Sequence, residues 1–327
     1  MIENAQPTAS MRPQKSRLTM RERLENAMIK AVRLYTFNTP IDKGKYRLMQ
    51  AAISACRYVP KTVTATTRDG RSIALPISAG MGEAVYFLGE YEREVTRIVE
   101  ELVRPGDVCL DVGANFGWFT TLLAKLSGPE GFVHAFEPVP STFAQLESNV
   151  ALTATPSRIK INNAALGDRE DEVIVHVFDD IGLGFSSLSE KGSAGATAVR
   201  SRMLTLDAYL GGEREERRNI NFVKLDIEGA ELMFLKGASM LFDQQTPPII
   251  LAEMATEQSR NFGYSPNELI EFIGSRRPYE FYAVNEFNGE MERIEGFRDD
   301  EIGANVFCLP AGHYADRRDR IAGRFIS

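Results

Sequence analysis

Four acidic residues lie at or just beyond the ends of apolar runs: Asp111, Glu137, Asp226 and Glu253. One such carboxylate is usually a turn or a helix cap. Four at the same structural place form a candidate site, because ligands of a parallel α/β sheet bind at the carboxyl ends of its strands. Lys224 and Asp226 stand two residues apart in an extended run, so they share one face of a strand. Asp226 is the candidate general base, with Lys224 tuning its charge or holding an acceptor. Glu228 and Glu253 either orient that acceptor or complete a divalent-metal site with Asp226. The alternative for Glu228 and Glu231 is favourable placement at a helix N-terminus.

The segment Asp111-Val-Gly-Ala-Asn-Phe-Gly117 joins the first of these runs to the helical stretch Trp118–Lys125. Gly113 and Gly117 let the backbone approach a ligand closely, and the helix start offers N–H groups. The spacing is Gly-x-x-x-Gly, whereas a dinucleotide diphosphate calls for Gly-x-Gly-x-x-Gly. A carboxylate at the turn is poorly placed beside a diphosphate. It suits a positively charged cofactor with an α-amino group, and S-adenosylmethionine is such a cofactor. Glu137, roughly 20 residues beyond the turn, is placed to accept from both ribose hydroxyls. Gly113, Ala114 and Asn115 border the methionine portion, and Gly117, Pro138, Ala164 and Asp226 join the expected cofactor set.

Strands alternating with helices position these residues. An apolar strand precedes the turn, a second covers Phe132–Phe136, and a third covers Ile159–Leu166; Glu172–Phe178 extends an edge. The fourth runs over Asn219–Ile227 and the fifth over Pro247–Glu253. Glu280–Val284 and Asn305–Leu309 pair late in the chain, with Asn288-Gly289 as the turn between them. Upstream, a helix from about Thr19 puts Leu24, Met28 and Tyr35 on one face, and Lys43–Arg57 gives a second helix. These helices either pack on the domain or present a basic amphipathic face to a partner or membrane surface. Arg68-Asp-Gly70 turns a hairpin. Residues 179–203 are Gly/Ser/Ala-rich and read as a mobile lid or substrate loop, so Phe185 and Ser186 join Glu228 as candidate acceptor contacts. Arg317, Arg318, Arg320 and Arg324 read as a solvated helix face.

The chain of 327 residues is 43% hydrophobic and 25% charged, with a net charge of −7, which argues against general affinity for nucleic acid. The charge is uneven: residues 1–80 hold 14 Lys/Arg against 5 Asp/Glu, and the remainder 24 against 40. No run is long and apolar enough to span a bilayer, and the first twenty residues lack the apolar core of a secretion signal. Cys56, Cys109 and Cys308 have no metal-like spacing, and a cytoplasmic location is expected.

Gly89-Glu-Tyr-Glu92, Asp111–Gly117, Ala135-Phe-Glu-Pro138 and Lys224-Leu-Asp-Ile-Glu-Gly-Ala-Glu231 together resemble the FkbM family of S-adenosylmethionine-dependent methyltransferases. Leu204-Thr-Leu-Asp207 and Glu253 fit in the same order, so the likeness covers roughly residues 87–255. The resemblance implies a class I methyltransferase (Rossmann-like) fold: a seven-stranded, mostly parallel sheet with its last strand reversed and helices on both faces. It implies O-methylation of a small-molecule or glycan hydroxyl, on a carbohydrate or a secondary metabolite. Glu90 and Tyr91 are expected to close over the cofactor. The resulting division is a disordered 1–18, N-terminal helices and hairpin over 19–86, a methyltransferase domain over 87–312, and a basic tail over 313–327. A nicotinamide-dependent oxidoreductase and a non-catalytic cofactor-binding module are the alternatives.

Overall fold

A computed structural model describes residues 19–39, 43–56, 62–77, 81–153, 158–178, 186–189, 195–212, 219–298 and 300–326. The chain divides into two compact units, Met1–Pro60 and Lys61–Ser327. The first contains α1 (Met20–Asn38) and α2 (Lys45–Ala55), which pack on each other. A capping box starts α1: Glu22 N–H donates to the Thr19 hydroxyl, and the Glu22 carboxylate accepts from Thr19 N–H at 2.6 Å. The buried face of α1 carries Glu25, Ile29 and Thr36. The apolar stripe of Leu24, Met28 and Tyr35 faces solvent instead.

The second unit opens with β1 (Val63–Thr66) and β2 (Ser72–Leu75), paired antiparallel across the Asp69-Gly70 turn. Two helices follow, α3 (Met81–Leu88) and α4 (Arg93–Leu102). The alternating part is β3 (Val108–Val112), α5 (Trp118–Ser127), β4 (Phe132–Phe136), α6 (Pro140–Leu152) and β5 (Arg158–Asn162). A side sheet then forms from β6 (Ala165–Leu166), β7 (Asp171–Val177), β8 (Ser186–Ser187) and β9 (Thr197–Leu204), in the order β6-β9-β7-β8. The chain continues through α7 (Leu206–Gly212), β10 (Phe222–Leu225), α8 (Glu231–Lys236), α9 (Ser239–Asp243) and β11 (Ile249–Ala255). It closes with α10 (Thr256–Asn261), α11 (Pro266–Arg276), β12 (Tyr279–Val284), β13 (Met291–Ile294), β14 (Gly303–Pro310) and α12 (Ala315–Ala322).

The main sheet has the order β13-β12-β14-β11-β10-β3-β4-β5. From β5 to β11 all neighbours are parallel, and β14 is antiparallel to β11 and to β12. The seven strands from β5 to β12 in this order are the expected sheet, with β14, the last in the chain, reversed, and β13 adds an eighth at the edge. Strands buried on both faces read as continuous apolar runs, and Leu110, Val112, Val223, Leu225, Ile250 and Ala252 are all in the core.

Several local expectations change. Residues 172–178 belong to the side sheet, because β7 pairs with β9 along its whole length and does not join the edge of the main sheet. That pairing also makes residues 197–204 a strand where a loop was expected. The third strand breaks after Asn162, and its remainder, β6, joins β9. Asn288-Gly289 turns the β12–β13 hairpin, not a β12–β14 connection. Arg317 is buried and makes a two-pronged pair with Asp107 at 2.6 and 2.8 Å, while Arg320 pairs with Glu101 of α4. The basic tail therefore docks on the domain and is not a solvated face.

The hairpin is tied to the sheet unit by side chains. Asn149 Oδ1 accepts from Ala74 N–H, and Gln145 Nε2 donates to Ala74 O, both at 2.7 Å, which satisfies an exposed strand edge. Arg71 donates to Trp118 O and to the Thr121 hydroxyl at the start of α5.

Candidate functional site

The carboxyl ends of β3, β4, β10 and β11 meet at a cavity of about 230 Å³. Asp111, Gly113, Ala114, Asn115, Glu137, Pro138, Ala164, Lys224, Asp226, Glu228 and Glu253 all line it, so residues spread over 143 positions of sequence converge. Tyr91 and Ser186 line it as well. Gly117 does not; it supplies the left-handed residue that starts α5, and a Cβ there would stand 2.7 Å from Leu146. Glu90 turns away toward Arg68 and Arg93, at 3.5 and 3.7 Å. Phe185 lies outside the described residues.

The turn after β3 is closed on itself. Gly113 N–H and Ala114 N–H both donate to Phe136 O, at 3.1 and 2.9 Å. Asn115 N–H donates to Glu137 Oε2 at 2.9 Å, Phe116 N–H to the Asn115 side chain at 2.7 Å, and Gly117 N–H to Ala114 O. Every amide from 113 to 117 thus has an acceptor within the protein. A diphosphate needs free N–H donors at such a turn, and this turn has already committed them. Gly113 has φ of +83°, and a Cβ would lie 1.8 Å from Asp226 O. No other residue lets the β3 turn sit so close to the end of β10.

Burial shapes the acids. Asp111 is fully enclosed and accepts from the Thr120 hydroxyl at 2.5 Å; burial pushes its pKa up to about 6 against that hydrogen bond. Glu137 accepts from Asn115 N–H and Val139 N–H, and burial still pushes it up to about 7. Lys224, 2% exposed, holds its ammonium 3.1 Å from Asp226 Oδ2 and 5.1 Å from the Phe119 ring centroid. Burial opposes its charge, but Asp226, Glu92 and Glu253 outweigh burial and keep it protonated. Burial likewise opposes ionisation of Asp226, and the Lys224 charge with hydrogen bonds from Glu253 and Lys224 holds Asp226 below the usual carboxylate range. Its hydrogen-bonded neighbour goes the other way. The Asp226 charge, then burial, pushes Glu253 up to about 10. Two carboxyls this close share one proton, and Glu253 keeps it.

Glu228 has left-handed φ of +56°, and burial with the charges of Asp226 and Glu231 pushes it up to about 7. Glu231 instead accepts from Ile227 N–H, Gly229 N–H and the Tyr264 hydroxyl, so it caps the start of α8. Asp226, Glu228 and Glu253 each offer an oxygen within 4.8 Å of the others, a hard-oxygen set that a divalent cation could use.

Glu92 was not singled out from the sequence. It precedes α4 with φ of +42°, an unusual conformation for a non-glycine residue. That conformation turns its carboxylate into the cavity beside Tyr91, whose ring meets Trp118 edge-on at 6.2 Å. Glu92 Oε2 is buried without a hydrogen-bond partner. Burial pushes Glu92 up, with Lys224 opposing. Among the described lining residues Lys224 is the only basic one, against six carboxyls. The cavity suits a cation.

The methyltransferase FkbM domain family matches residues 111–281. A 31-O-demethyl-FK506 methyltransferase from Streptomyces tacrolimicus is 49% identical over 91 residues, covering 28% of this chain and 34% of that protein. The hexuronic acid methyltransferase AglP from Haloferax volcanii is 29% identical over 152 residues, covering 45% and 56%. The matched segments therefore span between a third and three fifths of these relatives' length. Among solved structures, an S-adenosylmethionine-dependent O-methyltransferase from Thermotoga maritima aligns over 80% of this chain and 82% of its own, with 10% identity and a TM-score of 0.38.

Proposed function

The chain belongs to the FkbM methyltransferase family, and from that premise we propose that it transfers a methyl group from S-adenosylmethionine to a hydroxyl oxygen of a carbohydrate or a secondary metabolite. The carrying observation is the pairing of a glycine turn whose five amides are internally satisfied with an acid-lined cavity. Such a cleft repels a diphosphate and accepts a cationic cofactor. The donor set fits. Glu137 has lone pairs left for ribose hydroxyls, and the unpartnered Glu92 Oε2 is placed for an α-ammonium group. When bound, S-adenosylmethionine supplies a methyl group on a sulfonium, which an oxygen attacks in line.

The protein's task is then to align the hydroxyl and take its proton. Asp226 is the proposed base: Lys224 keeps it ionised at neutral pH and ready to accept the hydroxyl's hydrogen bond. The same ion pair makes Asp226 a weak base. Glu228 holds a proton more strongly and has an oxygen within 4.8 Å, so it serves as the proton's next stop. Glu253, already protonated, donates to Asp226 and fixes its orientation. A divalent cation bound by Asp226, Glu228 and Glu253 would instead polarise the hydroxyl. The names of the S. tacrolimicus and H. volcanii relatives support an acceptor resembling demethyl-FK506 or a hexuronic acid.

Calorimetric titration with S-adenosylhomocysteine and with NAD tests the cofactor; tight binding of NAD alone would overturn it. Labelled-methyl transfer to sugar, lipid-linked sugar and polyketide acceptors, with and without Mg²⁺, tests the reaction. Asp226→Asn should lower transfer by roughly 10²–10⁴-fold while S-adenosylhomocysteine still binds, and full turnover in that variant removes Asp226 as base.

A further inference from the structure

The outward face of α1 is apolar over its whole length. Met20, Leu24, Met28, Ala31, Leu34 and Tyr35 fall within an arc of roughly 120° at 100° per residue. All are exposed; Met20, Leu24 and Leu34 are 73%, 64% and 69% accessible. Arg23 and Lys30 border the arc on one side and Arg21 on the other, where its guanidinium is held by Glu25 at 2.8 Å. Both acids of the helix, Glu22 and Glu25, lie outside the arc, and Glu25 is on the buried face.

We propose that α1 lies in the plane of an anionic lipid surface, with this arc inserted at the headgroup boundary and its basic borders on lipid phosphates. A surface helix of a water-soluble protein normally buries its apolar stripe. Here the buried face carries Glu25 and Thr36 around Ile29, and the wider apolar stripe is the one left out. A 19-residue helix of this kind lies on a bilayer and does not cross it. No helix among the described residues is long and apolar enough to cross one. Charge selects lipid over a second copy of α1, because pairing two arcs would bring their Arg and Lys borders together. It also fits the uneven charge of the chain, since residues 81–327 carry 40 acids against 24 bases and are repelled by the same surface. The inference does not depend on the methyl-transfer reading.

The test is flotation of the full chain with phosphatidylcholine vesicles, with and without phosphatidylserine. The protein should float with the anionic vesicles at least tenfold more than with neutral ones. It should be released as salt rises from about 0.1 M to 1 M, where the Debye length falls from ~10 to ~3 Å. Arg23→Gln and Lys30→Gln should each weaken binding roughly fivefold. Leu24→Glu with Leu34→Glu should abolish binding with the helical circular dichroism and S-adenosylhomocysteine affinity retained; should that pair fail to fold, the two Gln variants carry the test. Equal partition onto neutral and anionic vesicles, or no flotation, overturns the proposal. So does a dimer in sedimentation velocity that Leu24→Glu with Leu34→Glu dissociates, because the occupant is then a second copy.

Discussion

Glu253→Gln separates the proton arrangement at the site from a mere count of acids. The Asp226 charge and burial raise Glu253 from its ordinary 4.5 to about 10, so at pH 7 only about one molecule in a thousand carries it ionised. Glutamine copies the neutral acid in shape and keeps one donor for Asp226. Transfer at pH 7 should therefore fall less than tenfold, against the much larger loss expected for Asp226→Asn. Stability supplies an independent readout. Because the folded state holds this proton more tightly than the unfolded chain, the wild type loses stability as pH rises above 4.5. By pH 7, 2.5 units above 4.5, that loss amounts to at most about 3.5 kcal/mol at ~1.4 kcal/mol per pKa unit. The variant lacks the titrating group and escapes it. Urea unfolding at pH 5 and pH 8 should show the wild type weakening relative to Glu253→Gln across that interval. Parallel pH dependence in the two proteins, or a loss of transfer as severe as that of Asp226→Asn, would refute the shared-proton arrangement.

Other outcomes follow from the same geometry. Glu228 titrates at about 7, so its capacity to take a proton grows as pH rises through neutrality. The rate at saturating substrate should climb from pH 6 to pH 8, and Glu228→Gln should flatten that limb. Glu92→Gln removes the buried carboxylate whose Oε2 has no hydrogen-bond partner and should weaken S-adenosylhomocysteine binding by about tenfold, roughly one charge-assisted hydrogen bond, as read by calorimetry. Gly113→Ala places a methyl group 1.8 Å from Asp226 O in a left-handed backbone conformation, so it should cost more than about 2 kcal/mol in denaturant unfolding and impair cofactor binding as well.

Much of the architecture is local in origin and was legible for that reason. The continuous apolar runs of β3, β4, β10 and β11 and the acids that end them are local signals, and two-residue periodicity puts Lys224 and Asp226 on one face. Glu90 and Glu92 show where local reading fails. Both lie in the same four-residue segment, and only a positive φ at Glu92 decides which carboxylate enters the cavity. The side sheet was hidden because β9 follows a Gly/Ser/Ala-rich stretch and its Arg200-Ser-Arg202 centre, with both arginines exposed, offers no apolar run. The docked tail was hidden because Arg317 meets Asp107 across 210 positions, a pairing that charge patterning along the chain cannot reveal.

The sequence by itself determined the turn, its glycines, and the acids placed to meet a cation rather than a diphosphate. Tertiary structure alone decided which acids keep their protons. Asp226, Glu228 and Glu253 are chemically near-identical carboxyls, and their different proton affinities arise from burial, the 3.1 Å approach of Lys224 and the hydrogen bond between Asp226 and Glu253. The Lys224 contact is set at the end of one strand, but the burial and the Asp226–Glu253 contact exist only once β10 and β11 lie side by side.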